Sequence, residues 1–256
     1  MLNVVIPMAG RGQRFAEAGY KLPKPLIPIN GHPMIQVVIS NLTPSGPHKF
    51  HFLVLREHVE RFGLADRLRA WTPDCEIILV DHVTQGAACT VLHAREFIDS
   101  EESLMIANCD QYIDADIDEY LASMGEADGL IMTMQANDPK WSFVRRDESG
   151  RVTEVVEKSV VSTEATVGIY NFRRGRDFVK SADAMIAADF RVNGEFYVAP
   201  TYNELIRAGG DVRCYHIGSL GSGMHGIGTP EDFDDFCTAA ISEKSVRSLK
   251  VFETES

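Results

Sequence analysis

Apolar segments of strand character alternate with segments of helical periodicity along residues 2–134, and this alternation restricts the fold more than any other feature. The strand segments are residues 2–6, 50–55, 76–80, 104–107 and 130–134, and the helical segments are residues 35–42, 57–69, 86–98 and 117–124. Strands that are apolar throughout and separated by helices are typical of a mostly parallel sheet with helices on both faces. We therefore predict a single-domain α/β fold of Rossmann-like type.

Shorter elements with more strand character follow from residue 138 onward. Residues 143–146 and 152–157 flank a polar turn and predict a hairpin. The remaining predicted elements are strands at 165–172 and 212–217, helices at 176–179 and 183–188, and a strand end passing into a helix at 196–207. Thr229 and Pro230 predict the start of a late helix, since they suit the N-cap and first-turn positions. No linker or repeat is visible. We predict one domain over residues 1–242, with halves 1–137 and 138–242, and a polar tail that frays.

A long loop, residues 7–32, joins the first predicted strand to the first predicted helix. Loops of this length in compact domains usually carry function. Its charged residues, except for Glu17, are basic: Arg11, Arg14, Lys21 and Lys24. Gly10 and Gly12 let the backbone approach a ligand closely. In a chain of net charge −12, a cationic glycine-bearing loop after a buried strand predicts a phosphate site.

The overall charge and the cysteines exclude several classes of partner and site. A net charge of −12 argues against nucleic acid or an anionic membrane as a partner. The five cysteines show no C-x-x-C spacing, which is typical of thiols in a reducing compartment. No apolar run is long enough for a membrane helix, and no signal segment opens the chain. We expect a cytoplasmic protein.

Two further stretches stand where predicted strands end, which is where ligands bind in open parallel sheets. Asp110 follows the fourth strand, and a carboxylate at this rim could hold Mg²⁺ together with phosphate oxygens. Its alternative role is to cap the next helix. Gln85 and Gly86 follow the third strand, where an amide could bind the edge of a base and a glycine could leave room for the ring. The alternative is an ordinary turn.

The motifs at these three places resemble those of the nucleotidyltransferase superfamily that makes nucleotide sugars. Residues 9–15 are similar to its G-G-x-G-T-R-L loop, and Pro23-Lys24-Pro25-Leu26 is similar to its P-K-x-L motif. Further matches follow in the same order along the chain: residues 85–88, Asp110, residues 157–158, residues 167–170, Glu195 and residues 228–230. The combination spans nearly the whole chain.

The resemblance implies that a nucleoside triphosphate is joined to a phosphorylated acceptor, usually a sugar 1-phosphate, with release of pyrophosphate and with Mg²⁺ as cofactor. The residues implied in catalysis are Arg14, Lys24 and Asp110, of which Asp110 binds the metal. The residues implied in nucleotide binding are Met8, Ala9, Gly10, Arg11, Gly12, Gln85, Gly86 and Asn108. The residues implied in binding the acceptor, in the smaller β-rich half, are Trp141, Glu157, Lys158, Gly168 and Glu195. Since both reactants are phosphates, positioning and charge neutralisation suffice.

Several positions depart from the family's motifs. Ala9 replaces a glycine, Gln13 replaces a threonine and Ser159 replaces a proline. Gly226 stands where the family has a second metal-binding aspartate, so either His225, Glu195 or water completes the metal's ligands or the mode of metal use differs. The stretches 138–143 and 193–197 resemble a capsule- and polysaccharide-locus branch that includes a cytidylyltransferase acting on phosphoglutamine. We therefore favour CTP and keep a non-sugar acceptor open.

Two other functions compete with this one. A glycosyltransferase of similar architecture would consume a nucleotide sugar, but such enzymes usually bind metal through a D-x-D pair, and residues 108–110 read Asn-Cys-Asp. A nucleotide-binding regulator without turnover is suggested by Gly226. The residues do not identify the base or the acceptor, and a homo-oligomer, frequent in this family, is compatible with them.

Overall fold

A large mixed sheet runs through the computed structural model, which describes residues 1–249. Its strands are Leu2–Met8 (β1), His48–Leu55 (β4), Glu76–Val80 (β5), Ser103–Ala107 (β6), Gln111–Ile113 (β7), Gly129–Gln135 (β8), Ser142–Arg146 (β9), Val152–Glu157 (β10), Glu164–Phe172 (β11), Val212–Leu220 (β12) and Gly223–Gly226 (β13). Pro28–Ile29 (β2) and His32–Pro33 (β3) form a separate small ladder.

The helices cover both faces of this sheet. They are Gln13–Glu17 (α1), Met34–Leu42 (α2), Arg56–Phe62 (α3), Leu64–Trp71 (α4), Ala87–Val91 (α5), Arg95–Ile98 (α6), Ile117–Ala122 (α7), Gly175–Ala187 (α8), Tyr202–Arg207 (α9), Pro230–Thr238 (α10) and Ala240–Val246 (α11). Short 3₁₀ helices lie at Lys24–Leu26, Leu92–Ala94 and Ala199–Thr201.

The order of the central strands is β5-β4-β1-β6-β11-β8-β12. The pairs β5–β4, β4–β1, β1–β6 and β8–β12 are parallel, while β11 is antiparallel to both β6 and β8. Six of these seven strands therefore run in one direction, and β11 runs in the opposite direction. This confirms the predicted α/β fold with a mostly parallel sheet.

The apolar strands pack helices onto each face because successive side chains point to opposite sides. In β1, Val4 and Ile6 join a core with α2, α4, α7 and α10, while Val5 joins a second core with α5, α8 and α9. All three side chains are fully buried. Burial of apolar surface stabilises the fold by roughly 25 cal/mol per Å². The two cores therefore keep the carboxyl ends of the strands in fixed positions.

The second half of the chain adds the β9–β10 hairpin to this sheet. β9 and β10 pair antiparallel around residues 147–150, and Phe143 of β9 pairs with Ala165 of β11. This confirms the predicted hairpin. The Thr229 side chain accepts a hydrogen bond from the Asp232 N–H and caps α10, as expected of an N-cap threonine.

Several predicted elements have different bounds. The helix expected at 57–69 is broken at Gly63, which adopts a left-handed φ of 60° and separates α3 from α4. The two helices expected at 176–179 and 183–188 form the single helix α8. The short strand β7 was not predicted, and no strand forms at residue 196. Residues 240–246 form α11, and the tail prediction for residues 250–256 lies outside the described residues.

Among residues 1–249, no helix is both long and apolar enough to cross a membrane.

Candidate active site

The loop after β1 is packed firmly at the edge of the sheet. Phe15, which is 1% exposed, contacts the rings of Tyr20 and Phe233 edge-to-face at centroid distances of 5.2 and 5.9 Å. Gly12 adopts a left-handed φ of 60°, and a Cβ there would lie 3.0 Å from the Lys24 Cβ. The absence of a side chain at Gly12 therefore lets the start of the loop lie directly against Lys24.

Lys24 and Asp110 meet in an ion pair at this edge. The Lys24 Nζ lies 2.7 Å from the Asp110 Oδ2, and the two side chains are 19% and 27% exposed. Burial acts to lower the pKa of Lys24, but the neighbouring carboxylate of Asp110 outweighs it, and the pKa is raised overall. The ammonium group is therefore charged, and it faces a carboxylate that would otherwise be unneutralised.

Close backbone contacts hold Asp110 in place. Its carbonyl oxygen accepts a hydrogen bond from the Ile227 N–H at 3.0 Å. A Cβ at Gly228 would lie 2.6 Å from the Asp110 Oδ2, so only glycine leaves the space beside this carboxylate open.

A cavity of about 300 Å³ opens beside the ion pair, and we call it the first cavity. Its walls are Pro7, Met8, Ala9, Gly10, Lys24, Pro25, Val83, Thr84, Gly86, Ala87, Thr90, Asn108, Cys109, Asp110 and Glu195. These residues come from the carboxyl ends of β1 and β6, from the loop after β1, from the segment after β5 together with α5, and from the 192–196 turn. This is where ligands bind in open α/β sheets.

Gly86 allows the 192–196 turn to close one side of this cavity. Gly86 has φ 131°, and a Cβ there would lie 2.4 Å from the Phe196 carbonyl oxygen. Phe196 donates its N–H to the Gln85 carbonyl at 2.9 Å, and the Ala88 N–H donates to the Phe196 carbonyl at 3.0 Å. Any side chain at position 86 would therefore separate the two segments.

A second cavity, of about 200 Å³, adjoins the first and shares Ala87 and Asn108 with it. Its walls are Ala87, Asn108, Lys140, Trp141, Ser142, Glu157, Lys158, Thr166, Val167, Gly168, Tyr170, Tyr197, Val198 and Ala199. Gly168 has φ 85°, and a Cβ there would lie 2.1 Å from the Asn108 side-chain nitrogen. Asn108 also donates its backbone N–H to the Gly168 carbonyl at 3.0 Å, which ties the two cavities together.

The second cavity is lined by both acidic and basic side chains. Glu157 is 8% exposed and is hydrogen-bonded to the Ser142 hydroxyl. Burial raises the pKa of Glu157, and the charge of Glu195 adds to this effect. Lys158 donates to the Tyr197 hydroxyl and lies 4.5 Å from the centre of the Tyr197 ring. Lys140 lies similarly over Trp141, at 5.1 Å.

A third cavity, of about 430 Å³, lies on the other side of the ion pair. Its walls are Gly12, Gln13, Arg14, Phe15, Glu17, Lys24, Asp110 and Gly228. Lys24 and Asp110 therefore belong to the walls of both the first and the third cavity. The three cavities form a row in the order second, first, third. The Lys24–Asp110 pair lies where the first cavity meets the third.

Most of the residues predicted for the site are brought together here, although three differ in position from the expectation. Glu195 was expected to bind the acceptor but lies in the wall of the first cavity. Arg11 lies in none of the three cavities. The Gln85 side chain is exposed and lies outside the three walls, while its backbone holds Phe196. Lys140 and Tyr197 also line the second cavity; both belong to the stretches 138–143 and 193–197, but the motifs assign neither of them a role.

The position of the expected second aspartate is bordered by a different carboxylate. A Cβ at Gly226 would lie 3.5 Å from the Asp232 Oδ2, so Asp232 of α10 lies against this glycine. His225 packs against the rings of Tyr112 and Phe236, and burial lowers its pKa. His225 lies in none of the three cavities.

The residues present fit a magnesium ion bound mainly through its substrate. Among residues 1–249, no group of three His, Cys, Asp or Glu side chains gathers to hold a metal. Asp110 offers a carboxylate oxygen with open space beside it at Gly228. Mg²⁺ is commonly bound by one or two carboxylates together with substrate phosphates. This donor set therefore suits the ion.

Comparison with known proteins agrees with this arrangement. The model of the family described as nucleotidyl transferase matches residues 3–184. The chain belongs to the nucleotidyl transferase family.

Individual relatives of this nucleotidyl transferase are distant. It is 25% identical over 218 residues to a CMP-5'-(3-aminopropyl)phosphonate synthase of Streptomyces rubellomurinus, which covers 82% of this chain and 34% of that protein. The chain thus spans about a third of the length of that relative.

Two solved structures share its fold. A nucleoside-diphosphate-sugar pyrophosphorylase from Vibrio cholerae RC9 aligns with a TM-score of 0.80 and 24% identity, covering 92% of this chain and 100% of that one. The inositol-1-phosphate CTP transferase from T. maritima aligns with a TM-score of 0.75 and 14% identity, covering 97% of each chain. At these identities the likeness establishes the fold alone.

Proposed function

We propose that this nucleotidyl transferase uses Mg²⁺ to couple a nucleoside triphosphate, with CTP favoured, to a phosphorylated small molecule and releases pyrophosphate. The observation that carries this proposal is the position of the Lys24–Asp110 pair, which belongs to the walls of two of three adjoining cavities. The first cavity would hold the nucleoside, the second the acceptor and the third the β- and γ-phosphates. The α-phosphate would then lie at the ion pair.

In the proposed reaction, an oxygen of the acceptor phosphate attacks the α-phosphorus. The bond from this phosphorus to the oxygen bridging to the β-phosphate breaks, and pyrophosphate leaves. The acceptor phosphate is already ionised at neutral pH, so no side chain has to remove a proton. The remaining requirement is to align two anions and to stabilise the charge of the transition state.

The residues divide this work between them. The Lys24 ammonium would stabilise charge that develops on the α-phosphate oxygens. Arg14 and the backbone of Gly12 would hold the leaving pyrophosphate, because a guanidinium group can bind phosphate through two hydrogen bonds. Asp110 would hold the Mg²⁺, which when bound supplies further neutralisation of the phosphates. Asp232 is the carboxylate that lies against Gly226, and it lines none of the three cavities.

The preference for CTP rests on two similarities. The Streptomyces relative is named for a CMP-bearing product, and the T. maritima structure is that of a CTP transferase. In this chain the base would lie in the first cavity beside the Gly86 backbone, whereas the space that a Gly86 side chain would take is filled by the Phe196 backbone. The neighbouring hydroxyls of Thr84 and Thr90, 2.6 Å apart, line the same cavity.

The acceptor is proposed to carry a phosphate together with a hydrogen-bond donor. Lys158 would bind the phosphate, and the buried Glu157 would accept a hydrogen bond from a hydroxyl or ammonium group. At about 200 Å³ the cavity suits a sugar 1-phosphate or a phosphorylated amino acid derivative such as phosphoglutamine. From the stretches 138–143 and 193–197 we propose a role in capsule or surface polysaccharide biosynthesis, in the cytoplasm.

The test measures pyrophosphate release with each of CTP, UTP, dTTP, GTP and ATP, combined with a panel of sugar 1-phosphates and with phosphoglutamine. We expect release with CTP and one acceptor class, and its loss when Mg²⁺ is chelated. Nucleotide binding without pyrophosphate release under every acceptor would favour a nucleotide-binding regulator. Consumption of a nucleotide sugar instead would favour a glycosyltransferase.

A further inference from the structure

A fourth cavity, separate from the row of three, lies behind the phosphate loop. It has a volume of about 450 Å³, comparable to that of the third cavity, and lies between the loop and helix α3. Its walls are Arg11, Gln13, Ala16, Tyr20, Lys21, Leu22, Pro23, Leu55, Glu57, His58, Arg61 and Phe62. Leu55 ends β4, so this cavity too opens beyond the carboxyl end of a parallel strand.

The charged side chains around this cavity are mostly basic. The basic side chains are those of Arg11, Lys21 and Arg61. The single acidic side chain, that of Glu57, forms an ion pair with Arg61 at 2.5 Å. Within residues 1–249, Arg11 and Lys21 form no ion pair. The surplus of positive charge in a chain of net charge −12 favours an anionic ligand.

The remaining walls are apolar or aromatic. Leu22 is 44% exposed here, although leucine side chains are more often buried. Tyr20 and Phe62 line the same cavity. His58 is 7% exposed, and its Nδ1 has no hydrogen-bond partner in the described part of the chain. An inorganic ion would leave this apolar surface unused, whereas an organic phosphate would cover it.

The cavity is connected to the triphosphate region through the loop. Gln13 belongs to the walls of both the third and the fourth cavity, and its side chain donates to the Glu17 carboxylate at 2.8 Å. Arg11 and Gly12 are consecutive, yet Arg11 lines the fourth cavity and Gly12 the third. A ligand behind the loop therefore contacts the same short segment as the proposed leaving group.

We propose that the fourth cavity is a second, regulatory binding site for a small organic phosphate. Two guanidinium groups and an ammonium group bind its phosphate, and Tyr20, Leu22 and Phe62 contact its apolar body. Guanidinium groups are the side chains best suited to hold phosphate by paired hydrogen bonds. Occupation neutralises cations next to the third cavity, and so it weakens triphosphate binding. This last effect rests on the proposed function, whereas the binding site does not.

Equilibrium dialysis with phenyl phosphate tests the site, in the presence of saturating CTP and Mg²⁺ to fill the first and third cavities. We expect one phenyl phosphate per chain to remain bound. Its affinity should be about tenfold higher than that of inorganic phosphate, because its phenyl ring is buried in the fourth cavity. Lys21→Gln with Arg61→Gln should weaken this binding by about tenfold or more. Arg69→Gln is the matched control, since Arg69 is exposed on α4 and pairs with Asp66 within its own helix.

The outcomes separate the site from the proposed function. Unchanged binding in the double variant, or equal affinities for phenyl phosphate and inorganic phosphate, would overturn the proposed site. If CTP displaces all bound phenyl phosphate, the anion belongs to the substrate cavities and the proposal also fails. Failure of CTP to bind would count against the proposed function alone, because the variants still report on the fourth cavity.

A kinetic measurement tests the coupling. Phenyl phosphate should raise the KM for the triphosphate about fivefold in the unmodified protein, a common size for allosteric coupling. The effect should disappear in the double variant and persist in Arg69→Gln. A KM that does not respond would overturn the regulatory role.

Discussion

The Lys24 ammonium lies 2.7 Å from the Asp110 carboxylate, although 86 residues separate them in the chain. Each group neutralises the other, so the carboxylate that is proposed to bind Mg²⁺ already has a cation beside it. A metal ion that approaches Asp110 must compete with Lys24 until phosphates arrive to bind both cations.

This competition predicts opposite effects of one substitution on two measurements. Lys24→Ala should strengthen Mg²⁺ binding to the nucleotide-free protein, as measured by calorimetry, because Asp110 loses its counterion. The same change should lower pyrophosphate release by about 10²-fold or more, since a stabilising cation is lost from the transition state. Asp110→Asn should abolish both metal binding and release. Retention of release in both variants would contradict the proposed mechanism.

Two glycines in one short segment should differ in their tolerance of a methyl group. Gly228→Ala places a Cβ 2.6 Å from the Asp110 Oδ2 and should displace the carboxylate, lowering activity at least tenfold. Gly226→Ala meets Asp232 at an ordinary contact distance of 3.5 Å and should retain most of the activity. Steady-state kinetics with thermal unfolding on both variants would check this. Equal losses would show that the space at Gly228 is not specifically required.

Substitutions in the second cavity should affect one substrate only. Glu157→Gln and Lys158→Gln are each expected to raise the KM for the acceptor about tenfold, because each removes a charge-assisted hydrogen bond. The KM for the triphosphate should stay within about twofold. Lys180→Gln, on the surface of α8 and outside the second cavity, is the control. A change in the KM for the triphosphate alone would instead assign these residues to the nucleotide.

The alternation of strands and helices could be predicted because it is recorded in local apolar periodicity. The same logic placed Lys24 and Asp110 together, since the carboxyl ends of neighbouring parallel strands share one edge of a sheet. Gly63 shows the limit of predicting helices from apolar periodicity. The apolar spacing runs through residues 57–69 without interruption, whereas the helix breaks at a glycine whose left-handed conformation depends on how α3 and α4 pack.

Side-chain positions set by contacts between distant segments could not be predicted. The motif alone does not reveal that Arg11 points away from Gly12's cavity, because this depends on α3 lying behind the loop. The contact of Asp232 with Gly226 depends likewise on how α10 crosses the end of β13. Glu195 falls in the wall of the first cavity since the 192–196 turn is fixed by backbone bonds to Gln85 and Ala88.

A buried histidine should make stability depend on pH. His51 of β4 is 1% exposed, and its Nε2 lies 2.9 Å from the Asn3 Oδ1. Burial, with the nearby Lys49, lowers its pKa from 6.5 to about 4. Between these values the unfolded chain binds more protons than the folded chain. The stability is therefore fully present above pH 6.5 and falls as the pH is lowered toward 4, by at most about 3 kcal/mol.

Urea unfolding at pH 7.5, 6 and 5 would measure this dependence. His51→Gln, which keeps a donor for Asn3, should flatten the slope between pH 6.5 and 5, while His82→Gln at an exposed position should leave it unchanged. An equal slope in the His51 variant would assign the acid sensitivity to other groups.

Asn108 and Ala87 form a wall common to the first and second cavities, and this has a consequence for the release of the product. The coupled product would occupy both cavities as a single molecule, whereas the two reactants enter them separately. Contacts made in each cavity reinforce one another once the two halves are joined. The product should therefore leave slowly, so that its release rather than the chemical step would limit the rate of turnover.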